Sequence, residues 1–426
     1  MRLLWLSAGL LLPLDKGGKL RTWHLMRHVA RRHEIAWLSF APRSTSPDLL
    51  EEMKEVCSTT EVIPRDEIAK GTARFYAATA GHLLDPLPYA VASYRSRRYR
   101  AALDRHLDSG RFDAVVCDFL VPAVNLRSRP PCPSILFTHN VEAEIWRRHA
   151  ETATGRLRRA LMRAQWQRMV RFERRTLRLF DSVLAVSEND KDTFRRLYGS
   201  VGPVHVIPTG VDTEYFAPSS APPEPHHLVF TGSMDWLPNE DAAVYFCERI
   251  LPKIRAVDPR VTLSLVGRSP TPALLRLARS VPGVEVTGRV DDVRPHVSKA
   301  SLVIVPLRIG GGTRLKIYEA MAMGKAVVST SVGAEGLPVV SGRDVSIADA
   351  PEAFAAEVLR LLRDPVARGS MERAARALVS ERYDWRAVAG SLEHAISATI
   401  AGQRHSAAVG AGVRRQDARI GSRIAS

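Results

Sequence analysis

Three consecutive glycines, followed by closely spaced cations and then a carboxylate, make up the part of this chain best suited to chemistry. They stand in LVIVPLRIGGGTRLKIYEAMAMGKAVVST, residues 302–330. The apolar opening reads as a strand, the glycines as a loop, RLKIYEAMAM as a helix and AVVST as a second strand. Gly310, Gly311 and Gly312 carry no side chains, so their backbone N–H groups can approach a ligand closely. Thr313 is placed to cap a helix beginning at Arg314, and the free N–H groups of a helix N-terminus attract phosphate.

Arg308, Arg314 and Lys316 bring positive charge within reach of that loop, which suits a diphosphate better than a neutral ligand. Glu319 lies further along the helix. A carboxylate there can accept hydrogen bonds from sugar hydroxyls, as acidic groups do with ribose in dinucleotide folds. A plain turn with a solvated helix face would explain the glycines and the charges taken singly. Their order, from strand through glycines and cations to acid, favours a nucleotide diphosphate carrying a sugar.

Such a segment needs a parallel sheet to hold it, and the rest of the chain supplies the pattern. Short apolar runs alternate with longer helix-like stretches, as in parallel sheets covered on both faces. In the first half the strand candidates are Leu3–Leu6, Glu34–Ser39, Ala114–Cys117, Ser134–Thr138 and Ser182–Val186. The pattern restarts with His227–Thr231, Thr262–Val266, Val284–Thr287, Leu302–Val305, Ala326–Ser329 and Val345–Ile347. Between the two series, SSAPPEPHH reads as a linker. At 426 residues, two domains are expected. The expected division is 1–205, 206–384, a C-terminal helix over 385–402 packing back on the first domain, and a disordered basic tail over 403–426. The fold class is therefore α/β, with two doubly wound Rossmann-like domains facing a cleft, since ligands of such sheets bind outside the carboxyl ends of the strands.

The donor segment resembles that of retaining GT-B glycosyltransferases, specifically glycosyltransferase family 4 (group 1), and of sugar transferases from bacterial exopolysaccharide clusters. The likeness extends over about residues 1–400. It implies that Glu319 contacts the nucleotide ribose, and that Gly311 stands where the family often carries a first glutamate. PLDKGGKLR at 13–21 resembles the family's first-strand loop, which implies that Gly17 and Gly18 admit phosphate and that Arg21 lies on the acceptor side. FTHNVEAEIWRRHA puts His139 and Asn140 just after a strand. A lone histidine is more often a structural hydrogen-bond partner, but the resemblance implies that His139 touches the transferred sugar and that Asn140 faces the acceptor. LVFTGSMDWLPNEDA resembles the first strand and loop of the donor domain, with Gly232 at the turn. It offers Ser233 and Asn239 where many members have an arginine and a lysine. VTGRVDDV matches the loop that holds the base, with Arg289 and Val290 as candidates.

The expected chemistry is transfer of a glycosyl group from a uridine- or guanosine-diphosphate sugar to a glycan or lipid-linked acceptor. Retention is implied by the resemblance, and Arg314 and Lys316 stabilise the leaving diphosphate. No cofactor and no metal enter this scheme. The rival readings are a nucleotide-sugar epimerase and a non-catalytic sugar-nucleotide-binding component of a polysaccharide assembly complex.

Composition is close to that of an average globular protein, with 45% apolar and 25% charged residues. Four scattered cysteines argue against a disulfide framework or a zinc site. No apolar run reaches the length of a membrane span, and the opening MRLLWLSAGLLLPLDKGG reads better as a buried strand than as a signal peptide. A cytoplasmic protein is expected. The net charge of +16 is concentrated in the first half, above all in GRLRRALMRAQWQRMVRFERRTLR at 155–178, which holds nine arginines. That helix suits peripheral contact with anionic lipid at the inner face of the plasma membrane. Its aromatic residues are not spaced as stacking platforms, so nucleic acid is not an expected partner.

Overall fold

The computed structural model describes residues 1–14, 17–66, 72, 81–82, 85–309 and 315–424, with side chains as far as 404. Among these residues the strands form two all-parallel sheets. The first comprises β1 (Arg2–Leu6), β2 (Glu34–Ala41), β3 (Thr59–Pro64), β4 (Ala114–Asp118), β5 (Ser134–Phe137), β6 (Ser182–Ala185) and β7 (Val204–Val206), in the order β3-β2-β1-β4-β5-β6-β7. The second comprises β8 (His227–Thr231), β9 (Thr262–Val266), β10 (Val284–Gly288), β11 (Leu302–Val305), β12 (Val327–Ser329) and β13 (Ser346–Ile347), in the order β10-β9-β8-β11-β12-β13. Each sheet is a doubly wound arrangement whose strand order reverses once, at β1/β4 in the first and at β8/β11 in the second.

Sequence and sheet agree wherever a strand is buried on both faces. Leu3 to Leu6 are fully buried, as are Val115 to Cys117 and Leu302, Ile304 and Val305. Such strands read as unbroken apolar runs. The strands that this signal misses are β3 (TTEVIP) and β7 (VHV), which close the two edges of the first sheet. Edge strands bury less, and their polar and partly exposed residues break the run.

The chain divides into two compact units, Met1–Pro208 with Ala389–Ser426, and Thr209–Val388. The Pro- and Ser-rich stretch after residue 217 belongs inside the second unit, where the backbone N–H of Glu224 donates to Lys299 O at 2.7 Å. Within that unit the segment entering at Thr209 lies beside the segment leaving at Val388. Val211 N–H donates to Tyr383 O at 2.7 Å, and Trp385 N–H donates to Val211 O at 3.3 Å. Gly210 is required at this approach, because a β-carbon there would come within 2.6 Å of the Trp385 ring.

The final helix starts at Trp385, as the pattern suggests, but its backbone continues to Ile424. Alanine and arginine, five each in residues 403–426, are among the best helix formers and help to propagate a helix already begun. In the first unit, Leu392, Ala395 and Ile396 are buried, and Thr399 and Ser182 hydroxyls pair at 2.7 Å.

Candidate active site

In the first unit the candidate residues gather at the switch point, beyond β1, β4 and β5. The helix Gly17–Val29 follows β1, Asp118 ends β4, and His139 comes two residues after β5. His139 Nε2 is 2.7 Å from Asp118 Oδ1, and the Thr22 hydroxyl donates to Asp118 Oδ2 at 2.8 Å. Phe119 stacks on the imidazole with ring centroids 3.7 Å apart and planes at 4°. It holds a left-handed backbone with φ of 67°. That conformation costs a non-glycine residue on the order of 1 kcal/mol and persists only where its surroundings enforce it. Gly18 completes the cluster. A β-carbon on it would lie 2.7 Å from Phe119 Cζ and 3.5 Å from His139 Nδ1. Burial lowers the His139 pKa below the usual histidine value, with Asp118 pulling the other way, so the ring is neutral at physiological pH.

Arg21, expected on the acceptor side, is a buried side chain. It is 2% exposed, and its guanidinium donates to the carbonyls of Thr138 and Ile207 and lies 4.4 Å from the Phe137 ring centre. Burial brings its pKa down to about 9, against the opposing attraction of Asp118 and Asp190. Its role is to hold the backbone on which His139 stands. Asn140 remains partly exposed in the loop before the helix Glu142–Thr152. That helix lacks a side-chain cap of its own. Glu173 supplies one from a distant helix, accepting from the N–H groups of Glu142 and Ala143 at 3.0 and 3.1 Å and from the Tyr198 hydroxyl at 2.5 Å. Burial raises the carboxyl of Glu173 to about 7.

In the second unit the residues again gather at the switch point, beyond β8 and β11. Lys316 Nζ donates to Asn239 Oδ1 at 2.9 Å and sits 4.2 Å from the Phe230 ring centre, while Asn239 Nδ2 donates to Ser233 O at 2.9 Å. Gly232, with φ of 156°, makes room for this pair. A β-carbon there would be 2.6 Å from Asn239 Nδ2 and 2.9 Å from Lys316 Nζ. Gly267, with φ of 155°, presses still closer, and a β-carbon on it would lie 1.7 Å from Gly232 O. Glu319, three residues after Lys316 on the helix Leu315–Ala322, is raised to about 7 by burial, with Lys316 opposing.

Arg308 is less available for a diphosphate than its position suggests. It binds Asp241 through two contacts, 3.1 and 2.6 Å, and lies 4.2 Å from the Tyr245 ring centre. It fastens the segment after β11 to the helix Leu237–Tyr245, its charge already matched by a carboxylate. Arg289 is exposed and Val290 partly buried just beyond β10, two strands from Gly232 at the same sheet edge. Gly310, Gly311, Gly312, Thr313 and Arg314 lie outside the described residues.

Two family models match the chain in succession. The model described as Glycosyltransferase Family 4 covers residues 16–215, and that described as Glycosyl transferases group 1 covers residues 225–364. The chain belongs to this glycosyltransferase family. It is an enzyme of glycosyl transfer. It is 25% identical over 415 residues to the glycogen synthase of Mycobacterium tuberculosis, covering 92% of this chain and 94% of that one. The fold is shared with sucrose-phosphate synthase from Thermosynechococcus elongatus, at a TM-score of 0.69 and 17% identity over 94% of this chain and all of that one. It is shared too with Anabaena HepE in complex with UDP, at a TM-score of 0.66 and 16% identity over 93% of this chain and all of that one.

Asp118, Thr22, Phe119 and Glu173 of this glycosyltransferase escape a reading of the sequence. One signal was available for Asp118, a charged residue closing the buried run AVVCD at the end of a strand that points toward a switch point. Glu173 had none, since its two N–H partners lie 30 residues away or more.

Proposed function

We propose that this glycosyltransferase takes its sugar from a uridine- or guanosine-diphosphate sugar and passes it, with retention, to a glycan or lipid-linked acceptor at an anionic membrane surface. The observation that carries the donor side is the Lys316–Asn239 pair lodged against Gly232, with Glu319 one turn on. The amide that positions this cation is itself neutral. Charge grows on the diphosphate oxygen as the glycosidic bond breaks, so Lys316 there lowers the barrier without a bound metal. Gly17, Gly18, Gly311, Gly312, Thr313 and Arg314 enter this reading through their sequence, and retention through the family resemblance. The fold likeness to a protein solved with UDP is further support.

The direct test is a panel of UDP- and GDP-sugars scored for nucleotide diphosphate release with membrane extract as acceptor source, and the anomeric configuration of the product read by NMR. Release that needs both a donor and the extract is expected. Turnover of donor without acceptor would point to an epimerase instead, and tight donor binding without any turnover to a binding component.

Glu319 gives the donor site a pH signature. If its carboxylate accepts from ribose hydroxyls, a proton competes with the ligand. Donor affinity should then be level above pH 7 and fall by roughly tenfold per pH unit below it, since the group's pKa is about 7. Glu319→Gln should bind more weakly and lose this dependence. Calorimetry across pH 5.5 to 8.5 (about one and a half units either side of the midpoint) checks it; a wild-type affinity that does not change over the range removes Glu319 from the site.

The membrane side rests on the helix Arg156–Leu177. Met169, Phe172 and Leu177 are buried in the first unit, while Arg156, Arg158, Arg159, Arg163, Arg171, Arg174 and Arg175 are exposed and Leu157 is 86% exposed. Among the described residues no helix is long and apolar enough to cross a membrane. Cosedimentation with phosphatidylglycerol vesicles that is reversed by salt is expected, because exposed charge is screened. Equal recovery on neutral vesicles would discard the membrane contact.

A further inference from the structure

We propose that Asp118 is a positioning residue that sets His139 as a hydrogen-bond acceptor, through Nδ1, for a hydroxyl of the substrate sugar. An imidazole that is neutral carries one proton, and its location decides what the ring can bind. Asp118 Oδ1 lies 2.7 Å from Nε2, while the Thr22 hydroxyl donates into Oδ2 at 2.8 Å. The buried guanidinium of Arg21 is close enough for Asp118 to attract it. With Thr22 donating into it, the Asp118 carboxylate offers His139 an acceptor, so the proton on His139 belongs on Nε2 and Nδ1 is left with a bare lone pair.

The Nε2 contact with Asp118 decides which edge of the ring faces the carboxylate, and Phe119 fixes the ring plane. Phe119 lies flat against one face at 3.7 Å, and Phe119 is itself held by a backbone bond from its N–H to Phe137 O at 2.9 Å. Nδ1 is turned toward Gly18, where a side chain would stand 3.5 Å away. None of the described residues hydrogen-bonds it. A bare imidazole nitrogen takes a donor, so it fits a sugar hydroxyl and rejects a phosphate oxygen or a carboxylate. The contact with a sugar rests on the glycosyl-transfer reading above; the proton's location does not.

Imidazole nitrogen shifts of the full chain labelled with 15N-histidine test the assignment without any ligand, with His139→Gln identifying the signal. We expect a protonated Nε2 and an unprotonated Nδ1 at neutral pH. A protonated Nδ1, or both nitrogens protonated, overturns the proposal. Asp118→Asn removes the charge that holds the proton and should lower kcat/KM by about a hundredfold with the donor that scores in the panel, leaving UDP affinity unchanged. Full activity in a folded Asp118→Asn chain also overturns it. Should that variant not fold, the wild-type spectrum still decides. Should no donor turn over at all, the function proposed above fails while the spectrum continues to report on Asp118.

Discussion

Replacing Lys316 with alanine is expected to lower kcat by a hundredfold to a thousandfold, with a smaller loss of donor affinity. Removing one preorganised group that faces developing charge costs on that order. Lys316 is well suited to such a role because its position is set from two sides. Its ammonium is tied to Asn239 Oδ1 at 2.9 Å and rests over the Phe230 ring at 4.2 Å. The hydrogen-bond acceptor that holds it is a neutral amide, whereas Arg308 is paired with the carboxylate of Asp241. Charge on the leaving diphosphate is larger in the transition state than in the bound donor, so the loss should fall more on kcat than on binding. Asn239→Ala should give a milder version of the same defect, since the lysine remains but its tether is gone. Nucleotide diphosphate release and donor calorimetry on both variants check the assignment, and a Lys316→Ala enzyme with wild-type kcat would remove the residue from the mechanism.

Gly267→Ala should cost about 3 to 5 kcal/mol of stability and abolish donor binding, the upper end of what a single overpacked position does. A β-carbon there would lie 1.7 Å from Gly232 O and 2.7 Å from Gly232 C. These are backbone atoms of the neighbouring strand end, so no side-chain rotation relieves the clash. The displaced segment is the one that carries Gly232 to Asn239, and with it the site of Lys316. Gly336→Ala separates the two sources of strain. It too has a positive φ, of 78°, but nothing lies within 4 Å of a β-carbon on it. Only the conformational term remains, about 1 kcal/mol. Thermal denaturation of both variants measures the contrast. Equal melting temperatures would show that the strand ends separate more readily than their geometry indicates.

Local pattern carried much of this protein's architecture. The buried strands of both sheets are visible as short apolar runs because parallel strands covered on both faces leave no polar alternation. The order of strand, glycines, cations and acid in residues 302–330 likewise supports the proposal of a donor segment, since every component of that signal lies within one crossover. Edge strands β3 and β7 were hidden for the complementary reason.

What each charged side chain does was decided by tertiary structure. Arg21 and Arg308 look like free cations beside glycine-rich loops, yet one is buried under two carbonyls and the other is matched by a carboxylate 67 residues away. Asp118 looks like the unremarkable end of a strand, and becomes the partner of a histidine 21 residues further on. Glu173 caps a helix that begins 31 residues before it. Charge is a property of the residue, but whether that charge is spent on the fold or kept for a ligand depends on partners that the folded chain brings within about 3 Å, across separations over which local sequence carries no signal.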